Sequence, residues 1–531
     1  MISKAKILVY VATAVVLRLN PAMGQMSDVV STPNTEHAGI HKSLGEQVGA
    51  GRGDVTTPDS SIFIIRRDPF RSIRRGRQIF QRKFRIAEGF GPRKGPDGLG
   101  ALDMDPEFGA GLVDSCAGCH GRPRGSAGFG GDVFTRPDSR DAPHLFGLGL
   151  QEMLADEITS DLRQIRSAAI AEAARKGKSV TFAMTSKGIN YGQIRAFPDG
   201  TVDSRMIRGV DGDLRVKPFF AHGANFSIRQ FAAGALQAEM GLQAVDPDLL
   251  SAHNGGTVTT PSGMVIDGAL DKVNAPPADS RSDDPDGDGV ANEVDTALLD
   301  HLEFYLLNYF RPAAYKQTDQ IKKGRKVFES IACNSCHVPN LLINHDRRVA
   351  DVDTVYDPVK GIFNNLFATA KALVEVFDDG SGFPTLKLPA GQPFLVKDIF
   401  TDFKRHDLGP AFHEIQFDGT TITQFMTEPL WGVGSTAPYG HDGRSMTLEE
   451  VILRHGGEAQ ASRDAFVALD GGGSGANKAA LLAFLNSLIL FPPDDTASNL
   501  DPGNPSTPGF PQRGHGSIKL TVLFNDPTDL E

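Results

Sequence analysis

Cys116-Ala117-Gly118-Cys119-His120 and Cys333-Asn334-Ser335-Cys336-His337 are two copies of Cys-x-x-Cys-His, and together they use all four cysteines of the 531-residue chain. The pattern has a chemical meaning. Two thiols form thioethers to the vinyl groups of a porphyrin, and the adjoining imidazole reaches the iron as axial ligand. Cys-x-x-Cys alone also serves zinc sites and thiol redox motifs. A histidine after both second cysteines, in a chain with an export signal, decides instead for two covalently bound haem c groups. No cysteine remains for a disulfide or for thiol exchange.

The export signal is Lys4 and Lys6, the apolar run Ile7 to Leu17, and Pro21-Ala22-Met23-Gly24. It reads as a signal peptide, residues 1–24, cut after Gly24. A run of eleven residues is too short for a bilayer, which needs about 20, and no other run approaches that length, so no membrane span is expected. The location implied is periplasmic or secreted. Net charge is −11, and losing Lys4, Lys6 and Arg18 with the leader makes it more negative still. That argues against nucleic acid and for a basic redox partner. The exception is Arg66 to Arg85, with nine Arg or Lys and one Asp. It reads as a solvated helix face or as partners for haem propionates.

The chain says the same thing twice. Gly76-Arg77-Gln78-Ile79-Phe80 precedes the first motif and Gly324-Arg325-Lys326-Val327-Phe328 the second; Pro143-His144-Leu145-Phe146-Gly147-Leu148-Gly149 follows the first and Pro429-Leu430-Trp431-Gly432-Val433-Gly434 the second. Two related lobes are implied. An apolar helix around Leu298 to Phe310 should stop at Arg311-Pro312, which places an N-terminal extension at 25–65, a first lobe at 66–312, a second at 313–493 and a Pro- and Gly-rich tail at 494–531. Further helices are expected near Asp319 to Ile331 and Ala476 to Phe491. The fold class expected is mainly α: two cytochrome c-like haem lobes with long loops. A large mixed insertion, Gln151 to Val290, elaborates the first lobe, with a helix at Asp161 to Lys178.

Near the C-terminus Thr447-x-x-Glu450 is a capping box, and Leu448, Val451, Ile452 and His455 recur on one helix face. A histidine so placed is most often a satisfied core residue. Asp284-Pro285-Asp286-Gly287-Asp288-Gly289-Val290-Ala291-Asn292-Glu293-Val294-Asp295 matches a calcium loop, with side-chain oxygens from Asp284, Asp286, Asp288, Asn292 and Asp295 and the Val290 carbonyl. Asp stands at the last position where such loops carry Glu. An acidic linker turn is the competing reading.

Thr401-Asp402-Phe403, His406-Asp407-Leu408-Gly409, Ala437-Pro438-Tyr439-Gly440-His441-Asp442-Gly443-Arg444, Thr447-Leu448-Glu449-Glu450 and His455-Gly456-Gly457-Glu458 carry a resemblance. From about Gly76 to Phe491 the chain resembles the bacterial dihaem oxidoreductases related to dihaem cytochrome c peroxidases, a family also labelled thiol oxidoreductases. The resemblance implies that His455, fourteen residues after His441, is the sixth ligand of the second haem opposite His337. It also implies that His441 and Arg444 lie near that haem's propionates, although a turn set by Asp442 and Gly443 explains the segment as well. Trp431 reads as packing against the second haem, with a role in electron flow as the alternative. His406 is implied as a supporting residue.

The first lobe has no His-Asp-Gly-Arg and no histidine placed like His455. With His120 as proximal ligand, an open iron face is therefore expected there, His144 and then His222 being the alternatives as sixth ligand. Splitting an O–O bond needs a nearby acid/base group. Arg229 to Gly241 is similar to the peroxidase segment whose Glu lies over the reactive haem, which makes Glu239 the expected catalytic residue, ahead of Glu88 and Glu152; a surface Glu on a helix is the plain alternative. The function implied is a peroxidase-like dihaem oxidoreductase taking electrons from a small donor protein, cytochrome c or cupredoxin-like, and passing them to a small oxidant such as hydrogen peroxide. The alternatives are a dihaem electron-transfer cytochrome with both irons closed, and a haem dioxygenase resembling the rubber oxygenases.

Overall fold

The protein is described by a computed structural model over residues 42–89, 113–121, 127, 132–133, 140–285, 287, 289–291, 293–309, 313–314, 317–351, 371–415, 419–471 and 475–490. The signal segment, the tail and calcium-loop residues Asp286, Asp288 and Asn292 lie outside these residues. In chain order the α-helices are α1 (Leu44–Val48), α2 (Ser61–Arg67), α3 (Pro69–Gln81), α4 (Cys116–His120), α5 (Leu148–Lys176), α6 (Ile228–Met240), α7 (Pro247–His253), α8 (Thr296–Asn308), α9 (Asp319–Ser330), α10 (Leu448–Arg454), α11 (Gln460–Ala468) and α12 (Ala476–Leu485). None is long and apolar enough to cross a membrane.

The mainly-α expectation is overturned. The structure is 38% helix and 16% strand, with several small sheets, and is a mixed α/β fold. The strands sit where the chain alternates with period two. Val180–Ser186 and Ile189–Ala196 pair antiparallel, and the buried positions of the second strand alternate at Ile189 and Tyr191 and again at Ile194 and Ala196, with a one-residue break at Gly192. Lys187-Gly188 closes this hairpin with both residues at positive φ, the geometry that matches the twist of paired strands. Val202–Asp203 adds a third strand. Two further pairs come from the second half: Val374–Phe377 with Leu386–Pro389, and Leu341–Ile343 with Phe394–Val396. The three-stranded sheet lies in the insertion, which reads as mixed from its sequence, whereas the second-half segments carry too little period-two signal to stand out beside long helices.

The first echo is a pair of helix crossings. α3 packs on α8 and α9 on α12, and a Cβ on Gly76 would lie 2.2 Å from the His301 carbonyl oxygen, one on Gly324 1.9 Å from that of Ala480. Only glycine lets the backbones approach so closely. Gly149 and Gly434 do the same, meeting the carbonyls of Leu307 and Asn486 at the ends of α8 and α12. Both echoes thus mark equivalent contacts in the two halves. A second apolar cluster joins α5 and the three-stranded sheet to Leu341, Ile343, Val396, Phe403 and Trp431, so the insertion packs on residues from beyond position 313.

The basic stretch is not a solvated face: Arg67, Arg74 and Arg75 are buried. Arg67 pairs with Asp379 at 2.6 Å and Arg82 with Glu88 at 2.8 Å. A separate buried network orients α6. Arg229, fully buried, meets Asp300 at 2.9 Å and Glu303 at 2.8 Å on α8. Burial, against the opposing Arg229 charge, pushes the Glu303 carboxyl up to about 7. A charge of this kind is tolerated inside only because it is paired.

Gly324→Ala should destabilise the protein by about 1–3 kcal/mol in urea unfolding, because the new methyl overpacks a backbone contact. Gly45→Ala, where a Cβ meets nothing within 4 Å, should instead be neutral or stabilising by up to about 1 kcal/mol. Equal effects from the two would contradict the crossing.

Candidate functional site

Both Cys-x-x-Cys-His motifs open on one cavity of about 660 Å³. Its walls include Cys119 and His120 from the first motif, Cys333, Cys336 and His337 from the second, and His455, His441, Trp431, His222 and Glu239. No disulfide joins any of the four cysteines. Burial pushes Cys116 up to about 12, Cys119 to about 11, with the Glu239 charge adding to it, and Cys333 to about 12. Thiols held protonated in this way are poor nucleophiles for disulfide exchange. The thiol-oxidoreductase label has no support here.

Three histidines are oriented alike. Nδ1–H of His120 donates to the Pro143 carbonyl at 2.7 Å, that of His337 to the Phe400 carbonyl at 3.0 Å, and that of His455 to the Val451 carbonyl at 2.7 Å. Each bond fixes the tautomer and leaves Nε2 as the lone-pair nitrogen. Burial lowers the proton affinity of all three, His337 to about 4, so the neutral, metal-binding form prevails. The residues present therefore fit two iron porphyrins attached at the motifs.

The ties are built from local sequence. Phe328, Phe400 and Phe484 pack edge to face at 5.5 to 5.7 Å. They hold Phe400 at φ 56°, a left-handed conformation costing about 1–2 kcal/mol for a residue with a Cβ, with its carbonyl on His337. The capping box forms as read: Thr447 Oγ1 accepts the Glu450 N–H, and α10 ends at Arg454 with His455 as its C-cap. Phe412 lies edge-on to His455 at 5.3 Å, with the Arg454 guanidinium over its other side at 4.4 Å.

His144 is not placed to bind iron. Its Nε2–H donates to the Trp431 carbonyl at 2.7 Å and its Nδ1 accepts the Phe146 N–H at 3.2 Å, so both nitrogens are engaged. His222 lines the cavity. Gly147, at φ 74°, lies against the Trp431 ring, where a Cβ would be 2.5 Å from Cζ3, and Gly432 lies against His144. The second echo is thus also the seam between the halves, and packing accounts for Trp431.

Glu239 stands near the end of α6 and faces the cavity beside Cys119. Glu152 is elsewhere: it accepts the Ile228 N–H at the start of α6 and pairs with Arg347, each at 2.8 Å. Glu88 pairs with Arg82 and Arg85. His441 stacks on Phe425 at 4.1 Å with Nε2 3.3 Å from the Glu414 carboxylate. Arg444 is 72% exposed, reaches Asp442 at 3.4 Å and is absent from the cavity wall.

His406 sits between Asp402 and Glu458, 2.9 Å from each, and with Asp402 and Cys336 forms a tight cluster. Burial opposes its protonation, but hydrogen bonds to Asp402 and the Cys336 sulfur push it up to about 10. In the acidic loop, Asp284 accepts the Gly289 N–H at 3.0 Å. Asp295 engages both oxygens, one capping α8 at the Ala297 N–H and the other 2.6 Å from Arg281.

Residues 376–488 match one family model, di-haem oxidoreductase, putative peroxidase. The resemblance read from the sequence is borne out there, in the di-haem segment that carries His406, Trp431, His441 and His455, and it supports a dihaem redox function. No curated protein matches the chain. Among solved structures, hydrazine synthase of Kuenenia stuttgartiensis under xenon pressure is similar at 10% identity, covering 92% of this chain and 100% of that one, with a TM-score of 0.31. A MauG-like protein associated with microbial copper homeostasis is similar at 16% identity over 65% of this chain and 88% of its own, with a TM-score of 0.21. At these scores neither likeness bears on fold or function.

The carbonyls of Pro143, Phe400 and Val451, and the His144–Trp431 tie, were not legible in the sequence as contacts. Repetition around Pro143 and Pro429 was the one available signal. His144→Ala should cost about 1–3 kcal/mol, because it leaves the Trp431 carbonyl buried without its partner. Urea unfolding measures this; a cost below about 0.5 kcal/mol, the lower end for a hydrogen bond, would contradict the tie.

Proposed function

We propose that the protein is an exported dihaem c-type oxidoreductase of peroxidase type, in which the first motif carries the substrate site and the second the electron-transfer site. The observation that supports this most is the asymmetry of the cavity wall. Behind His337 the wall offers a second histidine, His455, with Nδ1 tied and Nε2 left over, whereas on the first side His144 is engaged at both nitrogens. Haem held at these motifs supplies an iron centre that exchanges single electrons and, where an axial position is open, takes a small oxidant.

The chain's own groups then have distinct tasks. Nε2 of His120 and of His337 would hold the two irons, and Nε2 of His455 would close the second against small ligands. Glu239, near Cys119 of the first motif, is the group that would move a proton between the two oxygens of a small oxidant held there. Apolar walls from Phe219, Phe231, Leu145 and Leu148 keep bulk water from that exchange. A small donor protein, cytochrome c or cupredoxin-like, supplies the electrons at the second lobe.

Glu239→Gln should lower hydrogen peroxide turnover, measured with a reduced cytochrome as donor, by about 10²–10⁴-fold, while haem content and visible spectrum stay as in the wild type. A loss smaller than about tenfold would remove Glu239 from the reaction. No peroxide turnover in the wild type, with oxygen-dependent cleavage of a polyisoprene instead, would favour the dioxygenase reading.

A further inference from the structure

A haem brings two carboxylates with it, its propionates, and a wall that holds it has to offer them positive charge or hydrogen-bond donors. Among the described residues of the cavity wall there is one lysine or arginine, Arg463. Arg444, implied for this task by the resemblance, is 72% exposed and absent from that wall. Two wall histidines that could serve are committed to carboxylates already. His406 lies 2.9 Å from both Asp402 and Glu458, and His441 turns Nε2 to Glu414 at 3.3 Å.

The chain entering α11 fixes where Arg463 lies. The Gly456 N–H donates to the Leu408 carbonyl at 2.8 Å and the Glu458 N–H to that of Asp407 at 2.9 Å, which pins this stretch to the segment that follows His406. Glu458 then reaches His406 itself, whose ring clusters with Asp402 and the Cys336 sulfur, the ligating atoms all within 4.8 Å of one another. The helix therefore starts beside the second motif. Ala459, Ser462 and Arg463 recur at i, i+3 and i+4, and all three line the cavity. Phe466, one turn further, is buried in the apolar cluster that holds Phe328, Phe400 and Cys333. This face of α11 looks on the second motif.

Two donors on that face are unspent. Nε and Nη2 of Arg463 donate to Asp464 Oδ1 at 3.1 and 2.9 Å, and the Gln460 amide holds the same carboxylate at 2.9 and 2.8 Å. One edge of the guanidinium is thereby steadied. Its Nη1 makes no hydrogen bond with any described residue, nor does the Ser462 hydroxyl. A guanidinium N–H beside a hydroxyl suits one carboxylate, and the start of α11, which has no side-chain cap, adds a favourable dipole.

We propose that Arg463, with Ser462, anchors a propionate of the haem held at the second motif, the place that Arg444 does not fill in this chain. The inference rests on the two-haem reading. A guanidinium there offsets the propionate's negative charge and so favours the less positive, reduced iron.

The test is a redox titration of the haem-loaded full chain, followed in the visible spectrum, for wild type, Arg463→Gln, Arg463→Lys and Arg444→Gln. Arg463→Gln should lower one of two midpoint potentials, Arg463→Lys should restore most of it, and Arg444→Gln should leave both unchanged. Resonance Raman spectra of the same variants add a readout independent of potential: a propionate bending band should shift in Arg463→Gln and stay in place in Arg444→Gln. Haem-loaded Arg463→Gln with wild-type potentials and bands overturns the anchor alone, and so does an equal or larger change in Arg444→Gln. A purified wild-type chain without visible haem bands would overturn the two-haem reading, and this inference with it.

Discussion

An imidazole has two nitrogens, and whichever one donates to a carbonyl is withheld from a metal. That constraint organises the centre of this fold. His120, His337 and His455 each give Nδ1–H to a main-chain carbonyl and keep Nε2 for the cavity, whereas His144 has both nitrogens engaged, one of them across the seam to Trp431. The carbonyls must then be held in turn. Phe400 is kept in a left-handed conformation by two phenylalanines, and Val451 is fixed by the helix that its own capping box starts. Aromatic packing and helix capping thus reach the site through the orientation of single rings.

The two halves share more than their attachment motifs. Equivalent glycines lie at equivalent approaches: Gly76 and Gly324 at helix crossings, Gly149 and Gly434 at helix ends, Gly147 and Gly432 at the seam. The seam joins the two Cys-x-x-Cys-His motifs into one cavity wall, and the halves differ mainly in what else faces it. A histidine caps a short helix on the second side, and Glu239 stands near the end of a helix pinned through Arg229 on the first. This asymmetry on a repeated frame is what supports a division of labour between two irons.

Much of this was legible in the sequence, and for identifiable reasons. Motif spacing, the capping box and the repeated Gly-Arg-x-x-Phe and Pro-to-Gly segments are local patterns, and helices α8, α9 and α10 follow them closely. What escaped was non-local or weakly patterned. The strand pair around 180–196 falls in the insertion that reads as mixed, but pairs of the second half such as that around 374–389 do not, and together they make the fold mixed rather than mainly α, because short hairpins carry little period-two signal beside long helices. The tie of His144 to Trp431 spans 287 positions, and no spacing rule reaches that far. The basic run reads as a solvated face or as partners for haem propionates because a partner such as Asp379, which meets buried Arg67 from 312 positions away, is not visible in the local sequence.

Electron paramagnetic resonance of the resting holoprotein, with and without cyanide and before and after partial reduction, tests the central claim most directly. The account predicts one low-spin centre with two histidine ligands that ignores cyanide, and one centre with an exchangeable sixth position that binds it. Two low-spin centres that both ignore cyanide, even after partial reduction, would contradict it.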